Sequence, residues 1–202
     1  MTGTKDRILA AGAELFRQGG YAGTGMKQIV EKAGAPFGSV YHFFPGGKEQ
    51  LGEEVVRTSG MQYAQLFEVF LAPAPDLITG LESFFAGAVT TLLDTDYVEG
   101  CPIATVALEV ATTNEPLRKA TADVFEAWTQ AGTKGFSAFG LPEEHARTLT
   151  LALVTSLEGA FVLCRAMRTT EPMAVAGAAV VDVARRLLTE LGDDGKRRPS
   201  GG

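Results

Sequence analysis

Two short helical stretches, about residues 26–33 and 36–43, are joined by Gly34-Ala35 and bounded by glycine and proline on both sides. Gly19-Gly20 comes before the pair and Pro45-Gly46-Gly47 comes after it. This pattern constrains the fold more than anything else in the chain. Nucleating a helix is costly, and fewer than about a dozen residues do not hold a helix in water. The two stretches must therefore pack on each other and on a third element. Gly34 has no Cβ and permits a sharp turn, and Ala35 is small enough for close approach. Two helices joined by a Gly-containing turn make a helix-turn-helix unit. The third element is the segment of residues 5–18, where Ile8, Ala11, Gly12 and Leu15 recur at helical spacing, with Leu9 and Phe16 widening the stripe. Ile29, Val30 and Val40 are expected to seat the unit on it through Leu15 and Phe16.

No period-2 run bounded by turn pairs stands out, so the whole chain reads as all-α. After the glycine break the periodic segments lengthen to about 48–71, 76–93, 103–111, 115–139, 142–167 and 173–191. Their separators are Pro73-Ala74-Pro75, the glycine-containing stretch 97–102, Asn114-Glu115-Pro116, Gly140 with Pro142, and Pro172. The expected architecture is an N-terminal three-helix bundle carrying the helix-turn-helix over residues 1–50. A six-helix body follows over 51–191. Residues 192–202, rich in glycine and charge, read as a disordered tail.

Several function classes fall away. There is no phosphate loop, dinucleotide-binding glycine pattern or zincin motif, so neither catalysis nor a cofactor is expected. His42 and His145 are far apart, as are Cys101 and Cys164, so no metal site is expected and the thiols are expected reduced. The most apolar stretch, residues 149–164, is interrupted by Thr155, Ser156 and Glu158 and reads as a buried helix rather than a membrane span. A cytoplasmic protein is expected. The net charge of −6 is unevenly spread. Residues 1–50 hold six cations against four carboxylates, a net of +2, which leaves −8 for the rest. A mildly basic head on an acidic body suits a protein that presents one end to phosphate.

The second helix of the unit would turn Phe37, Gly38, Ser39, Tyr41 and His42 outward. Phe37 suits either a thymine methyl in a major groove or packing. Gly38 removes bulk. Ser39 can donate to a base edge or a phosphate, and Tyr41 and His42 are donors to phosphate oxygens. Lys48 opens the next helix, where a cation beside free N–H groups makes a phosphate clamp.

These residues carry a resemblance. Residues 7–16, RILAAGAELF, resemble the first helix of TetR-family repressors; Gly20-Tyr21, Thr24 and Ile29 to Gly34 resemble the second. Residues 38–51, GSVYHFFPGGKEQL, resemble the family's recognition helix, the turn after it and the start of its fourth helix. Residues 99–103, EGCPI, look like a loop of a multidrug-sensing branch. The resemblance implies phosphate contacts by Tyr41, His42 and Lys48 and base approach by Phe37, Gly38 and Ser39, with Thr24 and Lys27 in the DNA-facing set. The family often has lysine at position 37 and Ser or Thr at position 25; Phe37 and Gly25 depart from it.

The resemblance also implies a homodimer on a palindromic double-stranded DNA operator, released by a small-molecule effector. Dimer candidates are Leu149, Leu153 and Leu157 on one helix and Ala176, Val180, Val183 and Leu187 on the last, two stripes fit for a four-helix bundle between subunits. Pocket candidates for an apolar or aromatic ligand are Tyr63, Phe67, Phe84, Phe85, Cys101, Phe125, Trp128 and Phe161. An ordinary core would use the same residues. The competing class is a helical ligand-binding adaptor with a degenerate DNA-binding head, to which Phe37 and Gly25 point.

Overall fold

The computed structural model describes the backbone of residues 3–197 and the side chains of residues 3–191. Among the described residues there are nine α-helices and no strand. They are α1 (Thr4–Gly19), α2 (Met26–Lys32), α3 (Phe37–Phe43), α4 (Gly47–Leu71), α5 (Leu77–Asp94), α6 (Pro102–Val110), α7 (Glu115–Ser137), α8 (Glu143–Met167) and α9 (Glu171–Arg197). The all-α reading holds, and the glycine and proline breaks fall between the helices or at their ends.

The starts are set by local hydrogen bonds. Asp6 accepts the N–H of Gly3 at 3.1 Å, and Gln28 accepts that of Gly25 at 2.7 Å. Asp76 caps α5 by accepting the Thr79 N–H at 2.8 Å, and Asn114 caps α7 through the Leu117 N–H at 2.9 Å. α6 opens with Pro102 in its first turn, after Cys101 has accepted the Ala104 N–H on its sulfur. The last helix departs from expectation. α9 runs on to Arg197, so the backbone of 192–197 is helical where a disordered tail was expected. Gly192 and Gly195 are weak helix formers, but no proline stops the helix before Pro199. The remainder of that tail, 198–202, lies outside the described residues.

The chain forms two compact units, residues 1–63 with 98–128 and residues 64–97 with 129–202, and the division falls inside α4 and α7. The sequence places its boundary at residue 50; the packing instead gathers more of the chain around the helix-turn-helix. In the first unit α1 packs on α2, α3 and α6. Ile8, Phe16, Ile29, Val40, Phe44, Leu51, Ile103 and Leu117 are buried there. Gly12 lets Val55 of α4 come close to α1, and Gly52 does the same for Tyr21 and Leu117. In the second unit α9 lies against α8 and α5 around Leu81, Leu92, Phe136, Leu149 and Leu153. At Gly177 the Phe85 side chain lies 3.0 Å from where a Cβ would stand, so a larger residue there would require Phe85 to give by a few tenths of an ångström.

Candidate nucleic-acid interface

α3 follows Pro36, and in it Val40 is buried while the fully buried Phe44 anchors the exit. With that side committed to the core, the rest of α3 is open. Phe37 and Tyr41 are each 52% exposed. Gly38 is exposed with open space around it, His42 is exposed with its ring centroid 5.0 Å from that of Phe43, and Ser39 is half-buried. All five outward residues named from the sequence therefore lie on one short helix with its outer face free. Lys27 on α2 is exposed and stands 3.7 Å from Glu31.

Side-chain ties hold α2 to α1. Arg7 donates to the Ala33 carbonyl at 3.2 Å, and Lys32 meets Glu14 at 2.7 Å. The Lys32 ammonium holds the Glu14 carboxyl below its usual range, against a smaller opposing effect of burial.

One DNA-facing assignment changes. Thr24 is only 3% exposed and donates its hydroxyl to the Gly20 carbonyl at 2.7 Å. Its side chain closes the turn between α1 and α2 and is not available to DNA. A hydroxyl near a helix start can satisfy the turn behind it as readily as a phosphate ahead. Lys48 is in the first turn of α4 as expected, but its ammonium sits over the Tyr21 ring, 4.4 Å from the centroid. Burial lowers its pKa, and the Glu109 charge works in the opposite sense.

Sequence reasoning missed the clasp on this α1–α2 turn. Glu109 of α6 accepts the Ala22 N–H at 2.9 Å, and its carboxylate lies where a side chain at Gly20 would project. Asn114 donates to Glu49 at 2.6 Å close by, and Arg17 pairs with Glu99 at 3.1 Å. Glu109 lies 87 residues from Ala22, so no local pattern announces the contact.

The pocket candidates divide between the units. In the first, Trp128 lies 6.1 Å from Tyr63 and 5.3 Å from Phe125, and donates its indole N–H to the Gly60 carbonyl at 2.7 Å. Burial raises the Tyr63 pKa, with Arg17 opposing and Cys101 and Glu99 reinforcing. In the second, Phe67 lies 5.3 Å from Phe84, and Phe161 is half-buried on α8. Phe85 lines a groove of about 380 Å³ between α5 and α9, with Val89, Met173 and Val181. Neither cysteine is in a disulfide, and no metal-binding group occurs among the described residues.

The dimer candidates divide as well. Leu149, Leu153 and Val180 are at most 1% exposed and belong to this chain's own core, so they are not available to a partner. Leu157, Ala176, Val183 and Leu187 are half-buried. The opposite face of α8 is the open one, with Leu151, Thr155, Gly159 and Val162 exposed; Leu163, Met167 and, on α9, Val175 are exposed too.

Comparison with known proteins agrees with this arrangement. Residues 8–55 match the family model for bacterial regulatory proteins of the tetR family, and residues 78–179 match that for the C-terminal domain of LmrA/YxaF-like transcriptional regulators. The HTH-type transcriptional regulator YxaF of Bacillus subtilis is 30% identical over 91% of this chain and 96% of its own length. An HTH-type transcriptional regulator of Mycobacterium tuberculosis is 33% identical over 86% of this chain and 90% of its own. The solved structure of a TetR regulatory protein from Rhodobacter sphaeroides shares the fold with a TM-score of 0.78 at 22% identity, over 88% of this chain and 97% of that one. With a free recognition helix on a helix-turn-helix, all-helical segments following it in the chain and matches across both, the chain belongs to the TetR family of DNA-binding transcriptional regulators.

Proposed function

We propose that this protein is a cytoplasmic homodimeric repressor that holds a palindromic operator through α3 and is released from it by an apolar or aromatic small molecule. The observation that carries the reading is the free face of α3. It shows Phe37, Gly38, Tyr41 and His42 to solvent while Val40 and Phe44 take up its inner side. Tyr41 and His42 supply donors for phosphates, and Phe37 and Ser39 reach toward bases. A helix-turn-helix dimer reads half-sites about 34–36 Å apart, so a second copy has to be held at fixed spacing. The open α8 face with Leu151 and Val162 suits that role, because it is apolar and bears small residues at Thr155 and Gly159.

Release would work by population shift. α4 is one continuous helix with Lys48 in its first turn and the aromatic Phe67 near its end. A ligand that binds the body better in one position of α4 favours that position and weakens DNA binding by its differential affinity. No catalytic step, cofactor or metal enters this reading.

The test is fluorescence anisotropy on the DNA flanking the protein's own gene, against a scrambled duplex, across salt. The expected result is preferential binding to the flanking duplex that is lost when Tyr41→Ala is combined with Lys48→Ala. No binding even at low salt refutes the DNA-binding role and leaves a helical adaptor. An added small molecule that binds the protein and leaves operator affinity unchanged refutes the release step for that ligand class.

A further inference from the structure

Phe37 and Tyr41 stand one helical turn apart on α3, each 52% exposed, with ring centroids 5.8 Å apart and planes at 64°, edge to face. The core beneath them is already filled, since Val40 and Phe44 are at most 1% exposed. The pair is thus a ridge of aromatic surface left in water on the face that meets DNA. Edge-to-face contact restrains the Phe37 ring, so little freedom is lost when a partner covers it. Gly38, the next residue, adds no side chain of its own beside the ring.

A phenyl ring has no donor or acceptor and cannot read any base edge by hydrogen bonding. The feature of the major groove that an apolar ring distinguishes is the C5-methyl of thymine. A lysine at this position would pair with guanine instead. From the exposed ring, braced edge to face by its neighbour one turn on, we infer that Phe37, supported by Tyr41, reads one thymine methyl in each half-site of the operator. The inference rests on the DNA-binding reading above and names the base chemistry of that same surface.

The experiment uses the full chain and a pool of twofold-symmetric duplexes with randomised half-sites. The enriched duplex is then resynthesised with deoxyuridine replacing thymine at one position per half-site. Deoxyuridine keeps every hydrogen-bonding group and lacks only the methyl. At one position the dissociation constant rises about fourfold for a single replacement and about fifteenfold for the symmetric pair, the effect of uncovering one methyl-sized group each time. Phe37→Ala binds the thymine and uracil duplexes equally at that position, and Phe37→Lys moves the preference there to guanine. The side chain is exposed, so both variants should keep the parent unfolding midpoint. The inference is overturned if the thymine-to-uracil ratio persists in Phe37→Ala, or if no position changes affinity by more than about twofold. If the pool yields no enriched duplex, the DNA-binding reading itself fails, an outcome distinct from enrichment without methyl discrimination.

Discussion

Gly20→Ala tests the clasp that ties the α1–α2 turn to α6. Gly20 has φ 74° and ψ 175°, a conformation essentially reserved for glycine, and forcing alanine into it costs about 1–3 kcal/mol. A Cβ there would also run into Glu109 Oε1 and lie 2.9 Å from its Cδ. The carboxylate is the far end of a flexible side chain and can swing away, so the steric conflict is relieved by losing the bond from the Ala22 N–H. Charge-assisted bonds are worth about 1.5–3 kcal/mol in sheltered sites. This one is solvent-exposed, so about 1 kcal/mol is the better figure. Gly20→Ala should then destabilise the protein by about 2–4 kcal/mol. Glu109→Ala alone should cost about 1 kcal/mol, and the two should couple by about that amount, because the double variant loses the bond only once. Urea unfolding followed by Trp128 emission reads both, since Trp128 is the sole tryptophan and is 6% exposed. If Gly20→Ala falls within about 0.5 kcal/mol of the parent, the turn does not need its glycine conformation. Coupling near zero would mean that the carboxylate does not hold the turn.

Two further outcomes are expected. Leu151→Glu combined with Val162→Glu puts charge on the open face of α8 and should give a monomer by light scattering without loss of helical signal, whereas a surviving dimer would place the interface elsewhere. Asp76 is held below the usual carboxylate range by the Thr79 N–H and hydroxyl. A depressed carboxylate stabilises the fold above its unfolded pKa and loses that effect as pH falls toward its folded value. The parent should therefore melt above Asp76→Ala at neutral pH, and the gap should close on acidification; a pH-independent gap would show that the ionised cap is not what stabilises α5.

The helices were legible because Gly and Pro punctuate the chain so regularly. Gly34 and Gly140 have positive φ at turns that a side chain would strain, and Pro142 precedes its helix as proline does best. The open face of α3 was legible for a different reason. Val40 had to go inward to seat the unit on α1, which turned Phe37, Gly38, Tyr41 and His42 toward the other side. The failures share one cause, which is that periodicity reveals a stripe but not what covers it. Leu149 and Leu153 form the strongest stripe on α8, and the chain keeps it for its own core. The face offered outward is the weaker one, where Leu151 and Val162 alternate with Thr155 and Gly159. Thr24 failed in the same way, since its hydroxyl had a carbonyl within reach four residues back. Glu109, Asn114 and Glu99 had no sequence signal at all, because their partners lie 65 to 87 residues away.

The cations of the head bear on how it would hold DNA. Six occur in residues 1–50, and most are already engaged. Lys5 meets Glu54 at 2.6 Å, Lys32 meets Glu14 at 2.7 Å, and Arg17 meets Glu99 at 3.1 Å. Arg7 donates to the Ala33 carbonyl, and Lys48 lies over Tyr21. Lys27 is the most exposed of the paired lysines, at 81%, with Glu31 a loose 3.7 Å away. Counterion release scales with the number of phosphates that cations neutralise, so a head built this way gains little from that source. The rest of the chain carries a net −8 and repels the duplex beyond the contact. On the proposed reading, affinity then comes from contacts that do not depend on salt: the hydroxyl of Tyr41, the ring of His42, the apolar ridge of Phe37, and their doubling by a second copy. Where lysine would have attracted any duplex, Phe37 adds nothing to a wrong sequence. The substitution that weakens general attraction is thus the one that leaves discrimination between sequences to the base edges.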